Sequence, residues 1–110
     1  AWKLTAGDSS VVIQVVDSGV DLRHEDLALA LWRNPGELNC ADGIDDDANG
    51  YVDDCWGYNH ALDQGGPALL GSSSHGTHVA GVIAAAANNK LGIAGVGGGG
   101  KRSDKNSGVG

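Results

Sequence analysis

Short apolar stretches separated by longer polar segments set the pattern of this chain. Residues 11–16 are apolar and β-branched apart from Gln14, with turn formers on both sides. A run this short and this apolar predicts a strand buried on both faces of a parallel sheet. Residues 91–96 resemble the start of another strand, and residues 25–32 predict a short helical turn that ends at Asn34-Pro35-Gly36.

From His75 onward the small residues predict a helix that ends at Asn88-Asn89. Gly76 and Gly81 would each cost about 1 kcal/mol against Ala in an exposed helix, so we expect this helix to pack closely inside a larger body. Residues 39–58 are rich in Asp, Asn and Gly and predict an ordered loop. Residues 97–110 contain six glycines and one apolar side chain, which predicts a disordered tail.

The net charge and the short apolar runs argue against nucleic acid and membranes as partners. Seven basic residues against fourteen acidic ones give a net charge of −7, which argues against nucleic acid because phosphate binding needs clustered Lys and Arg. No apolar run approaches the roughly 18 residues of a membrane-spanning helix, so we expect no membrane insertion. With 110 residues, an N-terminal Ala and no signal segment, we expect a piece of a longer precursor.

Two cysteines, Cys40 and Cys55, leave two interpretations open. A disulfide is favoured and would require an oxidising compartment; two buried thiols are the alternative. A zinc site at this pair is disfavoured because no Cys-x-x-Cys motif supplies half of the ligands.

Asp17 and His75 are the candidate catalytic residues. Asp17 directly follows the predicted strand, where open α/β sheets place functional groups, although a turn Asp that binds its own backbone has the same pattern. His75 begins the predicted helix, and an imidazole suits general base chemistry. A capping role for His75, or a zinc pair with His78, are the alternatives.

Together the two motifs are more specific than either alone. Val-Val-Asp-Ser-Gly-Val-Asp at 15–21 and His-Gly-Thr-His-Val-Ala-Gly at 75–81 resemble the first two catalytic signatures of the subtilisin-like serine endopeptidases, in that family's Asp-then-His order. The resemblance covers residues 1–96. It implies part of a three-layer α/β/α fold with a mainly parallel sheet, proteolysis of polypeptide substrates, and secretion.

The resemblance also implies a role for each residue. Asp17 would orient the imidazole of His75, which would take a proton from a serine hydroxyl. The family's third signature, Gly-Thr-Ser-Met-Ala-x-Pro, does not occur in this sequence. We therefore expect the chain to be inactive alone and to need the remaining part of the peptidase domain. The alternative is a calcium-binding or regulatory module without catalysis.

An acidic segment at 45–54 is the second chemical theme. Its alternating oxygens and its Gly50 resemble a calcium-binding loop of the EF-hand type, although position twelve is Trp56 instead of Glu. The alternative is a solvated acidic surface. The predicted calcium ligands here are Asp45, Asp47, Asn49, Asp53 and the Tyr51 carbonyl.

Two further expectations rest on the family resemblance alone. Residues 39–58 look like an insert found in some members between the catalytic Asp and His. A second structural calcium site is implied at Asp26 and Asn89.

Overall fold

A computed structural model describes residues 7–8, 10–66 and 74–98. Within these ranges the chain has one helix, α1, which spans His75–Ala84. The described β-structure is limited to two isolated bridges, a parallel one between Cys55 and Gly57 and an antiparallel one between Asn59 and Gln64. The other described residues form turns, bends and irregular loops, as predicted for residues 39–58.

Helix α1 begins at the predicted residue, but the predicted end at Asn88-Asn89 is wrong. The amide of Ala85 still donates to the Gly81 carbonyl, at 2.9 Å, whereas the next amide, Ala86, donates to the backbone oxygen of Asp26 at 3.0 Å. Ala85 itself leaves the helix with a ψ of 142°. Hydrogen bonds to other segments therefore replace the helical ones four residues before the expected stop.

The predicted buried strand at residues 11–16 is also not formed. The side chains of Val11, Val12, Ile13 and Val16 are all more than half exposed. A strand buried on both faces needs neighbouring strands and covering helices, and the described residues supply no strand beside this one. The mainly parallel sheet of the three-layer α/β/α fold implied by the resemblance is thus absent from the part of the chain that the structure describes.

Residues 91–96 turn back onto α1 where a strand was predicted. Gly95 donates to the Ala85 carbonyl at 3.0 Å, and Val96 donates to the Val82 carbonyl at 2.9 Å. Gly97 continues the contact by donating to Ile83, so the start of the predicted disordered tail is ordered. Residues 99–110 of that tail lie outside the described residues.

The predicted helical turn at 25–32 is a series of tight turns. The amides of Leu27 and Ala28 both donate to the His24 carbonyl, and Ala30 donates to Leu27. No helix in the described ranges is long and apolar enough to cross a membrane.

The buried centre is small and half polar. Leu27, Cys55 and Ala85 are its apolar members, and Asp26, Asn34 and Glu37 are its polar ones. Cys55 forms a disulfide with Cys40, with 5.6 Å between the Cα atoms. Hydrogen bonds and this cross-link therefore hold together a chain that buries little apolar surface.

Candidate active site

The side chains of Asp17 and His75, 58 positions apart, are in direct contact. His75 Nδ1 lies 2.8 Å from Oδ1 and 2.9 Å from Oδ2 of Asp17. The Asp17 side chain is 17% exposed and the His75 side chain 71% exposed. A largely covered carboxylate thus faces one nitrogen of an imidazole whose side chain is mostly exposed.

The surroundings of Asp17 favour its ionised form. The Ser18 backbone N–H donates to Asp17 Oδ1 at 2.6 Å, and this bond, followed by the one from His75, lowers the pKa of the Asp17 carboxyl. An ionised carboxylate accepts but cannot donate. The nitrogen that faces it, Nδ1, is therefore the one that carries a proton in the neutral ring.

Two hydrogen bonds clamp the Asp17 turn onto the first turn of α1. The Gly76 amide donates to Ser18 Oγ at 3.2 Å, and the Asp21 amide donates to Thr77 Oγ1 at 2.9 Å. A Cβ atom on Gly76 would overlap the carbonyl oxygen of Gly19 and crowd the Asp17 side chain. The sequence thus brings the two segments together by placing a glycine at the point of closest approach.

A zinc site at His75 and His78 would need a third protein ligand. Among the described residues, the group of three potential metal-binding side chains that lie close together contains neither histidine. His78 is exposed, and its amide takes part in the first turn of α1 by donating to the Ser74 carbonyl.

A separate acidic group consists of Glu37, Asp47 and Asp54. One oxygen from each lies within 4.8 Å of the others. Glu37 is fully buried, and while its Oε1 accepts the Asp46 amide at 3.1 Å, its Oε2 has no hydrogen-bond partner among the residues that the structure describes. Burial raises the pKa of the Glu37 carboxyl because removal from water disfavours the charged form.

The Asn34 side chain bridges the other two carboxylates. Its Nδ2 donates to Asp47 Oδ2 at 2.9 Å and to Asp54 Oδ1 at 2.8 Å. Its Oδ1 accepts the Gly36 amide at 3.0 Å, which fixes the orientation of the amide. Asn34 therefore holds two like charges together with a single NH₂ group.

The residues predicted as calcium ligands in the acidic loop make two kinds of contact. Asp47 belongs to the acidic group, whereas Asp45 accepts the amides of Asn49 and Gly50. The carboxylate of Asp53 accepts the amides at 42 and 43, and Asn49 Oδ1 accepts the Tyr51 amide. Two of the three convergent carboxylates, Asp47 and Asp54, thus lie in the predicted loop at 45–54, and the third, Glu37, comes from outside it.

Asp26 and Asn89, the two residues of the implied second calcium site, are in direct contact. Asn89 Nδ2 donates to Asp26 Oδ1 at 2.6 Å, and the Ile93 amide donates to Oδ2 at 3.0 Å. The Asn89 bond is the main cause of the lowered pKa of the Asp26 carboxyl. This cluster fastens the returning segment after α1 to the turns near Leu27.

The family assignment follows from the comparison with known proteins. The sequence model of the subtilase family matches residues 8–101, a range that contains both Asp17 and His75. The chain belongs to the subtilase family. Membership of this family implies an α/β fold.

Similar proteins occur in Plasmodium species and in Haloferax mediterranei. The subtilisin-like protease 1 of Plasmodium vivax is 46% identical over 86 residues, 78% of this chain and 13% of that protein. That of Plasmodium berghei is 45% identical over 84 residues, 76% of this chain and 14% of that protein. Halolysin of Haloferax mediterranei is 38% identical over 96 residues, 87% of this chain and 15% of that protein. The present chain thus spans only a small part of the length of these relatives.

The sequence does not identify two of the three carboxylates in this subtilase's acidic group, nor the Asn34 side chain that bridges two of them. Asp54 lies in the predicted acidic segment but is not among the predicted ligands, and Glu37 lies outside that segment. The available signal was the turn sequence Asn34-Pro35-Gly36 directly before Glu37. A Cβ on Gly36 would strike the Asp47 side chain, so the glycine permits that segment to reach the acidic loop.

Proposed function

We propose that the chain is part of the catalytic domain of a serine endopeptidase, in which Asp17 and His75 are two of the three triad residues. The observation that carries this proposal is the contact of 2.8 Å between Asp17 and His75 Nδ1. Membership of the subtilase family supports it at the level of the reaction class. Polypeptides are accordingly the proposed substrates.

The proposed chemistry assigns a distinct task to each side chain. The ionised carboxylate of Asp17 holds the ring in the tautomer with the proton on Nδ1 and stabilises the imidazolium that forms. His75 Nε2 is then the nitrogen that takes the proton of a serine hydroxyl as it attacks the scissile carbonyl. The same nitrogen returns that proton to the leaving amine.

The serine is proposed to come from the remaining part of the peptidase domain. The sequence contains no segment like the family's serine signature, so we expect these 110 residues alone to have no peptidase turnover. We also propose that the protein is secreted. A relative from Natrialba magadii is named as an extracellular serine protease, and the Cys40–Cys55 disulfide fits an oxidising compartment.

The test is to join residues 8–96 to the downstream part of the peptidase domain of a subtilase relative and to measure peptide hydrolysis. The joined protein should cleave peptides and react with a serine-directed phosphonate probe. Asp17→Asn and His75→Ala should each lower kcat by roughly 10⁴-fold or more. His78→Ala is the matched control, since His78 lies one turn along α1 and does not contact Asp17 in the described structure.

Two results would contradict the proposal. A joined protein with native circular dichroism and no turnover would remove Asp17 and His75 from the triad. Activity that survives His75→Ala would do the same. Turnover by the 110-residue chain alone, abolished by His75→Ala, would contradict the expectation that it is inactive.

We further propose calcium as a structural cofactor of the acidic group. The unpartnered, buried Oε2 of Glu37 is the observation that favours a cation there, because a buried carboxylate oxygen without a partner is costly. Glu37, Asp47 and Asp54 would hold the ion, with other loop oxygens such as Asp45, Asn49, Asp53 and the Tyr51 carbonyl as candidates to complete the six to eight ligands that calcium takes. Calcium would supply positive charge that joins Glu37 to the acidic loop at 45–54.

Asp26 and Asn89 are the proposed second calcium site. Both oxygens of the Asp26 carboxylate already accept N–H donors. Calcium titration followed by circular dichroism tests both sites, since a ligand that binds only the folded chain stabilises it. Binding that persists in Glu37→Gln and disappears in Asp26→Asn would shift the assignment from the acidic group to this second site. Binding without any activity in the joined protein would favour the non-catalytic calcium module.

A further inference from the structure

We propose that the Cys40–Cys55 disulfide preorganises the acidic group for its divalent cation, so that reducing the disulfide weakens cation binding. The inference rests on the calcium proposal above and adds a redox dependence to the same site.

The disulfide lies next to two of the three carboxylates. Asp54 directly precedes Cys55, and Glu37 stands three residues before Cys40. The third carboxylate, Asp47, belongs to the loop that the disulfide closes across a separation of 15 residues. The cross-link thus fixes the distance between the segments that carry Glu37 and Asp54, whether or not a cation is bound.

Non-covalent contacts transmit this restraint to the carboxylates. The Asn34 amide donates to the Cys55 carbonyl at 2.7 Å, which places the Asn34 side chain between Asp47 and Asp54. Arg33 Nη2 donates to the Glu37 carbonyl at 2.8 Å and lies 3.5 Å from Cys40 Sγ. Each half of the disulfide is therefore connected to the backbone of a residue in or beside the acidic group.

The consequence is an energetic coupling between two bonds that close the same loop. In the oxidised chain the cation meets carboxylates that are already close together. In the reduced chain, the free energy of cation binding must also offset the chain entropy that is lost on closing a 15-residue loop. The chain-entropy relation sets an upper limit of about 150-fold on the resulting loss of affinity.

Reduction by a dithiol is a balanced exchange. The sulfur–sulfur bond between Cys40 and Cys55 breaks, and each sulfur gains one electron and one proton. The dithiol supplies both pairs and becomes a cyclic disulfide. Cys40 is the accessible partner, because Cys55 is completely buried.

The experiment measures calcium binding to the full 110-residue chain by isothermal titration calorimetry. Three forms are compared: the oxidised chain, the chain reduced with excess dithiol, and the Cys40→Ser/Cys55→Ser double variant. We expect the oxidised chain to bind calcium 10-fold to 150-fold more tightly than the other two. Glu37→Gln in the oxidised chain should remove the redox-dependent binding step at the acidic group and leave any calcium bound at Asp26 and Asn89, whereas Glu25→Gln, which changes an exposed Glu outside the group, should leave that step unchanged.

A reciprocal measurement does not require the reduced chain to fold. The oxidised chain is equilibrated with mixtures of the dithiol and its cyclic disulfide, with and without saturating calcium. Saturating calcium should raise the ratio of dithiol to cyclic disulfide that reduces half of the chains. The factor should equal the ratio of the calcium affinities of the oxidised and reduced chains, because coupling between two sites is reciprocal.

The outcomes separate this inference from the calcium proposal. Equal calcium affinity in oxidised and reduced chains, or a half-reduction ratio that calcium leaves unchanged while it binds, would overturn the coupling and leave the calcium site standing. No binding to the oxidised chain would overturn the calcium site itself.

Discussion

Gly76→Ala is the most direct test of how the Asp17 turn and α1 are joined. The added methyl group would overlap the carbonyl oxygen of Gly19 and lie 3.2 Å from both Cβ and Oδ1 of Asp17. Either the turn or the helix must move to accept it. We therefore expect the substitution to destabilise the fold and to separate Asp17 from His75.

Gly81→Ala is the matched control because it adds the same group to the same helix. The nearest heavy atom to its new methyl is Ile93 Cδ1 at 3.5 Å, an ordinary van der Waals distance. An interior Gly→Ala change gains about 1 kcal/mol of helix propensity, so this variant should be stabilised. At Gly76, near the helix end, that gain is smaller, and overpacking costs about 1–3 kcal/mol.

The assay is urea unfolding followed by circular dichroism at saturating calcium. With a slope of about 2 kcal/mol per molar urea, the midpoint of Gly76→Ala should lie at least about 0.5 M below that of Gly81→Ala. The imidazole ¹⁵N resonances of His75 should change in the first variant and not in the second. Equal midpoints with unchanged His75 resonances would refute the close packing of helix and turn.

Further substitutions probe the same contacts. Asp17→Asn should move the His75 ring proton from Nδ1 toward Nε2, which imidazole ¹⁵N shifts detect; an unchanged spectrum would contradict the orienting role. The lowered pKa of Asp17 adds stability above its ordinary value of 3.8 that is lost as the pH falls through the lower folded value. Unfolding below pH 4 should therefore depend less on pH in Asp17→Asn, and equal slopes would argue against this. Thr77→Val should cost about 1 kcal/mol by leaving the Asp21 amide without its acceptor, and Thr77→Ser should restore it. Asn34→Ala should cost about 1.5–3 kcal/mol without calcium, and calcium should recover part of the loss; a calcium-independent cost would speak against a cation between the carboxylates.

The sequence predicts the local features of this chain better than its long-range ones. The start of α1 at His75 was predicted because the small-residue pattern begins there. Its end was not, since Ala86 donates to the carbonyl of Asp26, 60 positions earlier, and no local pattern encodes that competition. The strand at 11–16 failed for a similar reason, because a strand forms only beside another strand.

The candidate site shows the same division. The motifs around Asp17 and His75 imply their contact, because a family signature carries three-dimensional information that periodicity lacks. The sequence predicts a calcium-binding loop at 45–54, and the acidic group of the structure takes Asp47 and Asp54 from that loop and Glu37 from outside it. Glu37 could not be predicted because burial of a lone glutamate depends on which segments pack over it, and here those segments are joined by a disulfide.

The solvent-exposed apolar segment at 11–16 affects how the chain behaves in solution. Four β-branched side chains lie more than half exposed on it, a composition that favours stacking of identical copies into cross-β assemblies. The surplus of seven negative charges opposes such stacking through mutual repulsion. Added salt weakens that repulsion, so purified samples should turn cloudy sooner in concentrated sodium chloride than in dilute buffer.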